Sequence, residues 1–278
     1  MKKILKIFAL SAIVLACFSS CYDGILITGN KEVTEEIRPL PYFNKIYSEG
    51  SFKIFYSHGD STKVTIVCES NLLPYLETAV FNNKLDIRFA THVNVSIHND
   101  IELYITSPAI ERIYLAGSGN IIADSITGND MKIELSGSGN IYSTFYGGTL
   151  ESTLAGSGKM ELFGDCDTLE AIVSGSGKID LETPDCRYTY VSILGSGNAE
   201  LIGKSVAATY KIIGSGNIKA FEFPVEEAEV NLSGSGNAYV NVSESLDAVL
   251  SGSGNLLYIG NPEIYYRLLG SGKLINDN

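Results

Sequence analysis

The chain has no tryptophan, three histidines, seven prolines and three methionines in 278 residues. Three histidines are too few to supply a zinc centre unless other ligands join them, and His58, His92 and His98 sit in turn-like or strand-like surface segments. Basic residues are also scarce, 20 against 32 acidic ones. An excess of negative charge repels nucleic acid and anionic lipid headgroups, so neither is expected as a partner. No apolar run beyond the first residues is long enough to span a bilayer. What the chain has instead is 28 glycines and 16 tyrosines, with 45% of its residues hydrophobic and spread evenly, a composition suited to an all-β protein rich in tight turns.

The first residues read as a targeting segment. MKKILKIFALSAIVLACFSSC carries Lys2, Lys3 and Lys6, then an apolar run from Ile7 to Ala16, then small residues before a cysteine. That order is a bacterial secretory signal, and a small residue before cysteine marks lipidation of that cysteine as the new N-terminus. Cys21 is favoured because Ser19 and Ser20 precede it; Cys17, after Ala16, is the alternative. Cleavage before Cys21 removes three of the 20 basic residues and none of the 32 acidic ones, for a mature net charge near −15. The expected organisation is therefore a signal over 1–21, a tether over 22–36, and a folded body over 37–278. Within that body, 37–115 forms an N-terminal part or cap and 116–278 forms a repeat array. The expected partners are a membrane, reached through the lipid, and an unidentified glycan or protein. The location follows as the cell envelope, on an outer-membrane lipoprotein facing the periplasm or the surface.

In the cap region, FKIFY (52–56), KVTIV (63–67), KLDIRF (84–89) and IELYI (101–105) alternate like strands. SNLLPYLETAV (70–80) has room for a short helical turn, limited by Pro74.

From Leu115 a repeat takes over. Gly-Ser-Gly followed by Asn or Lys occurs nine times, with glycine pairs Gly117/Gly119, Gly137/Gly139, Gly156/Gly158, Gly175/Gly177, Gly195/Gly197, Gly214/Gly216, Gly234/Gly236, Gly252/Gly254 and Gly270/Gly272. The intervals are 18 to 20 residues. Two residues before each copy stands a large aliphatic, from Leu115 to Leu268, and the residue after each Asn or Lys is apolar, from Ile121 to Leu274. Apolar residues thus recur with period two on both sides of the glycines. Each unit reads as strand, sharp corner, strand and variable connection. A unit of about 19 residues cannot bury its own apolar face, but a stack of such units can. The array is expected to be a parallel β-solenoid about 40 Å long, at ~4.8 Å per rung. Glycine at the corner supplies positive φ and leaves room for the rungs above and below. Serine and asparagine fall in columns able to hydrogen-bond along the stack, and lysine at three Asn positions suggests that this column faces water. The drift of the interval argues against a strict hexapeptide helix. The Leu/Asn pattern of leucine-rich repeats is absent, and GSGN lacks the regular Asp of calcium-binding β-rolls.

The GSGN corners, FNKIYSEGSFKIFY (43–56) and NLLPYLETAVFNNKLDIRF (71–89) together resemble the putative auto-transporter adhesin, head GIN domain family, over roughly residues 40–275. The resemblance implies a right-handed parallel β-helix in secreted or lipid-anchored bacterial proteins, with no family catalytic residues to carry over. A true autotransporter ends in a membrane barrel; the lipidated cysteine is expected to take over as anchor here.

Candidate chemistry is sparse. Glu161, Asp180 and Glu200 fall at equivalent positions after successive corners, with Lys219 next and Tyr142 and Tyr239 bracketing them. Three stacked carboxylates could hold a cation or work as acid and base on a polysaccharide, making a lyase-like or hydrolase-like enzyme the rival of a binding protein. A solvated face is the simpler reading, and no cofactor, metal or catalytic residue is assigned. Cys166 and Cys186 each lie nine residues before a corner, in one column on adjacent rungs, within reach of a disulfide or as two stacked thiols. Cys68 has no evident partner. The last rung, near Leu274, lacks a polar cap, and its open strand edge invites a second copy.

Overall fold

The two-residue alternation is realised as columns. In the computed structural model, which describes residues 24–278, strand runs such as Asn140–Gly156 and Asn198–Gly214 pass from one corner to the next and pair in parallel with the rung before and after. Leu115, Leu135, Leu154, Val173, Ile193, Ile212, Leu232 and Leu250 stack in register and are all buried. The column two residues earlier mixes Ile133, Ser152, Ala171, Val191, Tyr210 and Val230, also buried. The Tyr210 side chain is fully buried in that column, between Val191 and Val230 on the neighbouring rungs.

The two glycines of a corner divide between them the two uses of glycine, positive φ and space. The first glycine takes the left-handed conformation in seven copies, Gly117, Gly137, Gly156, Gly175, Gly195, Gly214 and Gly234. Gly195, for example, has φ +132, which L side chains rarely adopt. In the last two copies, Gly252 and Gly270 do without it. The second glycines, Gly119, Gly139, Gly158, Gly177, Gly197, Gly216, Gly236, Gly254 and Gly272, do not have positive φ in any copy. They are buried, and they are needed for space alone. A Cβ on any of them would run into the carbonyl oxygen of the equivalent residue one rung below: Phe52 beneath Gly119, then Gly119 beneath Gly139, and so on to Gly254 beneath Gly272. Even in the roomiest case, Gly197, that oxygen would lie only 2.7 Å away.

The corner carbonyl is also used twice: the N–H groups of Ser138 and Gly139 both donate to Gly117 O, at 2.9 and 3.0 Å. The variable interval is absorbed elsewhere. Register shifts fall at the second bend, between Ala123 and Ile126, Thr183 and Cys186, and Glu200 and Ser205.

The asparagine column is half-buried, a correction to the expectation that it simply faces water. Asn140 donates to Asn120 at 2.8 Å, Asn217 to Asn198 at 3.0 Å, and Asn237 and Asn255 continue that ladder at 3.3 Å. The serine column does not ladder in the same way, because its side chains point outward. Its backbone N–H groups bind the corner below, and one side-chain pair, Ser271 to Ser253 at 3.1 Å, is hydrogen-bonded.

The N-terminal part holds a further corner. Gly50, φ +139, pairs with Gly117, and Lys53 takes the Asn position beside Asn120. Phe52 replaces the second glycine and is buried against Phe89, ring centroids 5.3 Å apart. Below this rung, Lys84–Phe89 and Glu102–Ser107 continue the parallel stack. Antiparallel strands then close it: Leu76–Phe81 on Lys84–Phe89, Lys63–Glu69 on Glu102–Ser107, and Val33–Pro39 outermost. The expected helical turn is the 3-10 turn Leu73–Tyr75.

Residues 22–36 do not behave as a tether where they are described. Ile25–Thr28 pairs in parallel with Val93–Ser96, and Val33–Pro39 is part of the cap. The loop between them wraps the buried carboxylate of Glu69, which accepts from the N–H of Lys31 at 2.6 Å and of His98 at 3.0 Å. Gly29 is required there because a Cβ would overlap that carboxylate. Cys21 and Cys17 lie outside the described residues.

At the other end the stack stops. Glu263–Leu268 pairs with Ser245–Leu250 and has no strand on its far side among the described residues. Tyr265, Tyr266, Leu268 and Leu269 are exposed.

Candidate functional site

The arm after the corner carries the acids. Register places Tyr142, Glu161, Asp180, Glu200, Lys219 and Tyr239 side by side on consecutive rungs, as their spacing predicted. Three carboxylates at strand spacing would repel one another, and two lysines resolve this. Lys159 binds Glu161 on its own strand and reaches Asp180 at 3.1 Å. Lys178 binds Asp180 at 2.8 Å and Glu200 at 2.9 Å. The Glu161 carboxylate, then Asp180, raises the Lys159 ammonium above its ordinary pKa, and Asp180 followed by Glu200 does the same for Lys178. Both lysines are therefore fixed cations at neutral pH. They occupy the Asn place of the corner motif, where the asparagine ladder is interrupted.

The arrangement is a charge-alternating ladder. An acid–base pair on a sugar needs one carboxyl group kept protonated and another free to attack or to activate water. Here every carboxylate is half of an ion pair. Among the described residues, no group of three or more His, Cys, Asp or Glu is arranged to hold a metal ion. The ladder borders shallow depressions of about 270 Å³ beside Phe163 and Ile202 and about 320 Å³ beside Phe221 and Tyr239. Sequence reasoning found the acids but missed their lysines. The signal was present in the i, i+2 spacing of Lys159 to Glu161 and Lys178 to Asp180.

The same arm carries aromatic surface toward the N-terminus. Phe55 and Tyr104 stack at 5.0 Å with a 12° interplanar angle, and the Lys53 ammonium lies 5.2 Å from the Phe55 ring centre. His98, weighed above as a possible ligand, instead binds Glu69 through Nδ1 at 3.2 Å.

Cys166 and Cys186 are buried on adjacent rungs with their sulfurs 4.0 Å apart, as two thiols. A hydrogen bond to the Cys186 sulfur, reinforced by burial, pushes the Cys166 thiol up. Accepting that bond holds Cys186 below its ordinary value. Cys68 is a buried free thiol, and burial pushes it up to about 11.

Comparison with known proteins supports the architecture. A family model described as putative auto-transporter adhesin, head GIN domain, matches residues 42–202 and 185–262. A crystal structure titled a putative adhesin from Parabacteroides merdae superposes with a TM-score of 0.71 at 23% identity, over 90% of this chain and 99% of that one. A second, titled a putative adhesin from Parabacteroides distasonis, gives the same TM-score of 0.71 at 23% identity and the same coverage, 90% and 99%. A third, titled a putative lipid binding protein from Parabacteroides distasonis, superposes with a TM-score of 0.68 at 26% identity, over 91% and 100% of the two chains. No curated protein matches the chain.

Proposed function

The chain belongs to the putative auto-transporter adhesin, head GIN domain family, and from that membership we propose that it is a non-catalytic binding protein of the bacterial cell envelope. A lipid on Cys21, or on Cys17, holds it to the outer membrane, and the solenoid faces present side-chain columns to a glycan, matrix or envelope protein. The observation that carries this reading is the lysine-bridged ladder of Glu161, Asp180 and Glu200. It is the one run of stacked acids that the sequence offered for chemistry, and its carboxylates are already committed to cations.

The test is a binding panel of glycans and matrix proteins probed with the purified protein, each well also assayed for new reducing ends and unsaturated sugars. Saturable binding without product is expected. Product formation that disappears in Asp180→Asn would replace this reading with a carbohydrate-active enzyme. The anchor is tested separately, by mass spectrometry of the mature N-terminus: an acylated Cys21 is expected, and an unmodified N-terminus would remove the lipid from the account.

A further inference from the structure

The arm leading into the corners carries a different surface. Tyr188 and Tyr190 project from one rung, Ala207 and Thr209 from the next, and Glu227 and Glu229 from the one after. The small residues form the floor of a groove of about 460 Å³, with a tyrosine pair as one wall and a carboxylate pair as the other. Glu170 and Asp247 flank it. None of these four carboxylates forms an ion pair among the described residues, unlike the ladder on the other arm. Lys211, two residues beyond Thr209, has no ion pair among the described residues, and the residues lining the groove include these four acids and no Lys or Arg.

Three features together point to one kind of occupant. The walls stand two strand spacings apart, about 9.6 Å between backbones, which admits a single extended chain over the alanine and threonine floor. The acids, and the tyrosines opposite them, are two residues apart, a repeat of about 6.6 Å along the groove. An extended peptide repeats its own same-side residues at that distance. Lysine or arginine at alternate positions would therefore seat each cation between a tyrosine ring and a carboxylate, combining cation–π and ionic attraction. The uncompensated negative charge selects against acidic ligands and leaves a neutral sugar without its electrostatic term.

We propose that the Tyr188/Tyr190–Glu227/Glu229 groove binds an extended segment of a partner protein bearing Lys or Arg at alternate positions. This rests on the binding-protein reading and names its partner.

The experiment is fluorescence anisotropy with labelled octapeptides: alternating Lys and Thr, the same composition arranged as Lys-Lys-Thr-Thr blocks, and alternating Glu and Thr. Cello-oligosaccharide serves as a neutral-sugar competitor. The alternating Lys peptide is expected to bind about tenfold tighter than its block isomer, and more weakly as salt rises. Glu227→Gln with Glu229→Gln should cost about tenfold in affinity, and so should Tyr188→Ala with Tyr190→Ala. Glu161→Gln with Glu200→Gln, on the lysine-bridged ladder, should leave the affinity unchanged. Equal binding of the two Lys isomers, or equal loss from both glutamate pairs, would mean diffuse attraction to an acidic protein and would overturn the site. Oligosaccharide binding lost in Tyr188→Ala with Tyr190→Ala, without peptide binding, would overturn the peptide assignment and leave the binding-protein reading standing. If no peptide binds while the glycan and matrix panel does, only the groove proposal fails.

Discussion

The two ends of the solenoid are built on opposite terms. At the N-terminal end the chain turns back on itself in antiparallel strands, plugs the first corner with Phe52 and ties its outer loop to a buried carboxylate. At the C-terminal end the parallel rungs stop, leaving Tyr265, Tyr266, Leu268 and Leu269 exposed. A repeat array needs both its interior and its ends satisfied. The interior is handled by one rule applied at each corner. The N-terminal end is handled by a local solution used once, and the C-terminal end by no other segment of the described chain.

The largest effect should come from placing one corner substitution at different heights. Gly195→Val puts a β-branched residue at φ +132, with its Cβ 2.6 Å from the Gly175 carbonyl oxygen and rungs on both sides. It should cost about 3 kcal/mol or more, or prevent folding. Gly270→Val meets the carbonyl of Gly252, but without the positive φ and in a terminal rung that can peel away, so urea unfolding should show a much smaller shift. Gly128→Ala meets nothing within 4 Å and should stay within about 0.5 kcal/mol of the parent. Equal losses at 195 and 270 would show that the last rung is held as firmly as the shaft.

That contrast also explains what could be read from the sequence. Corners, buried columns and the stacking of Glu161 on Asp180 and Glu200 were legible because the same backbone environment recurs every 18 to 20 residues, so residue types repeat with it. The corner at Gly50 was hidden because phenylalanine stands for the second glycine, and because residues 59–111 separate it from the next copy. The Glu69 hook was hidden for another reason. Its partners lie 38 and 29 residues away and form a unique arrangement, so no periodicity reports it. The candidate groove escaped as well, since a wall of Tyr188 and Tyr190 facing Glu227 and Glu229 is a departure from the repeat.

Oxidation in the shaft should give the next largest effect. If the envelope location holds, Cys166 and Cys186 can close from 4.0 Å to a disulfide of about 2.05 Å. A loop of some 20 residues corresponds to about 3 kcal/mol in the chain-entropy account. The oxidised protein should lose two hydrogens in its mass and melt higher than the reduced one. A bond that forms without raising the melting temperature would mean that strain cancels the gain.

Glu69→Gln tests the closed end alone. The backbone N–H of His98, then that of Lys31 and the His98 ring, hold the Glu69 carboxyl below the usual carboxylate range against the opposing effect of burial. A depressed folded pKa stabilises above the unfolded value, about 4.3, and that contribution is lost as pH falls through the folded value. The gap between parent and variant should therefore be widest near neutral pH and narrow in acid. Limited proteolysis should release the segment before Val33 first in the variant. A gap independent of pH would mean that the carboxylate acts through shape alone.

The smallest effect concerns the open end. The free edge of Glu263–Leu268 presents backbone donors and acceptors beside exposed Leu268 and Leu269. Two copies meeting there about a twofold axis would pair these strands antiparallel, through the same patch on each subunit. The edge is six residues long, so the association should be weak, visible by sedimentation equilibrium at tens of micromolar and absent at a tenth of that. Tyr266→Lys, near the middle of that edge, should abolish it by placing like charges across the axis, and Phe81→Lys, exposed on the closed end, should not change it. A monomer at tens of micromolar would show that the exposed tyrosines and leucines of the last rung tolerate water, and that the open end is no more adhesive than the capped one.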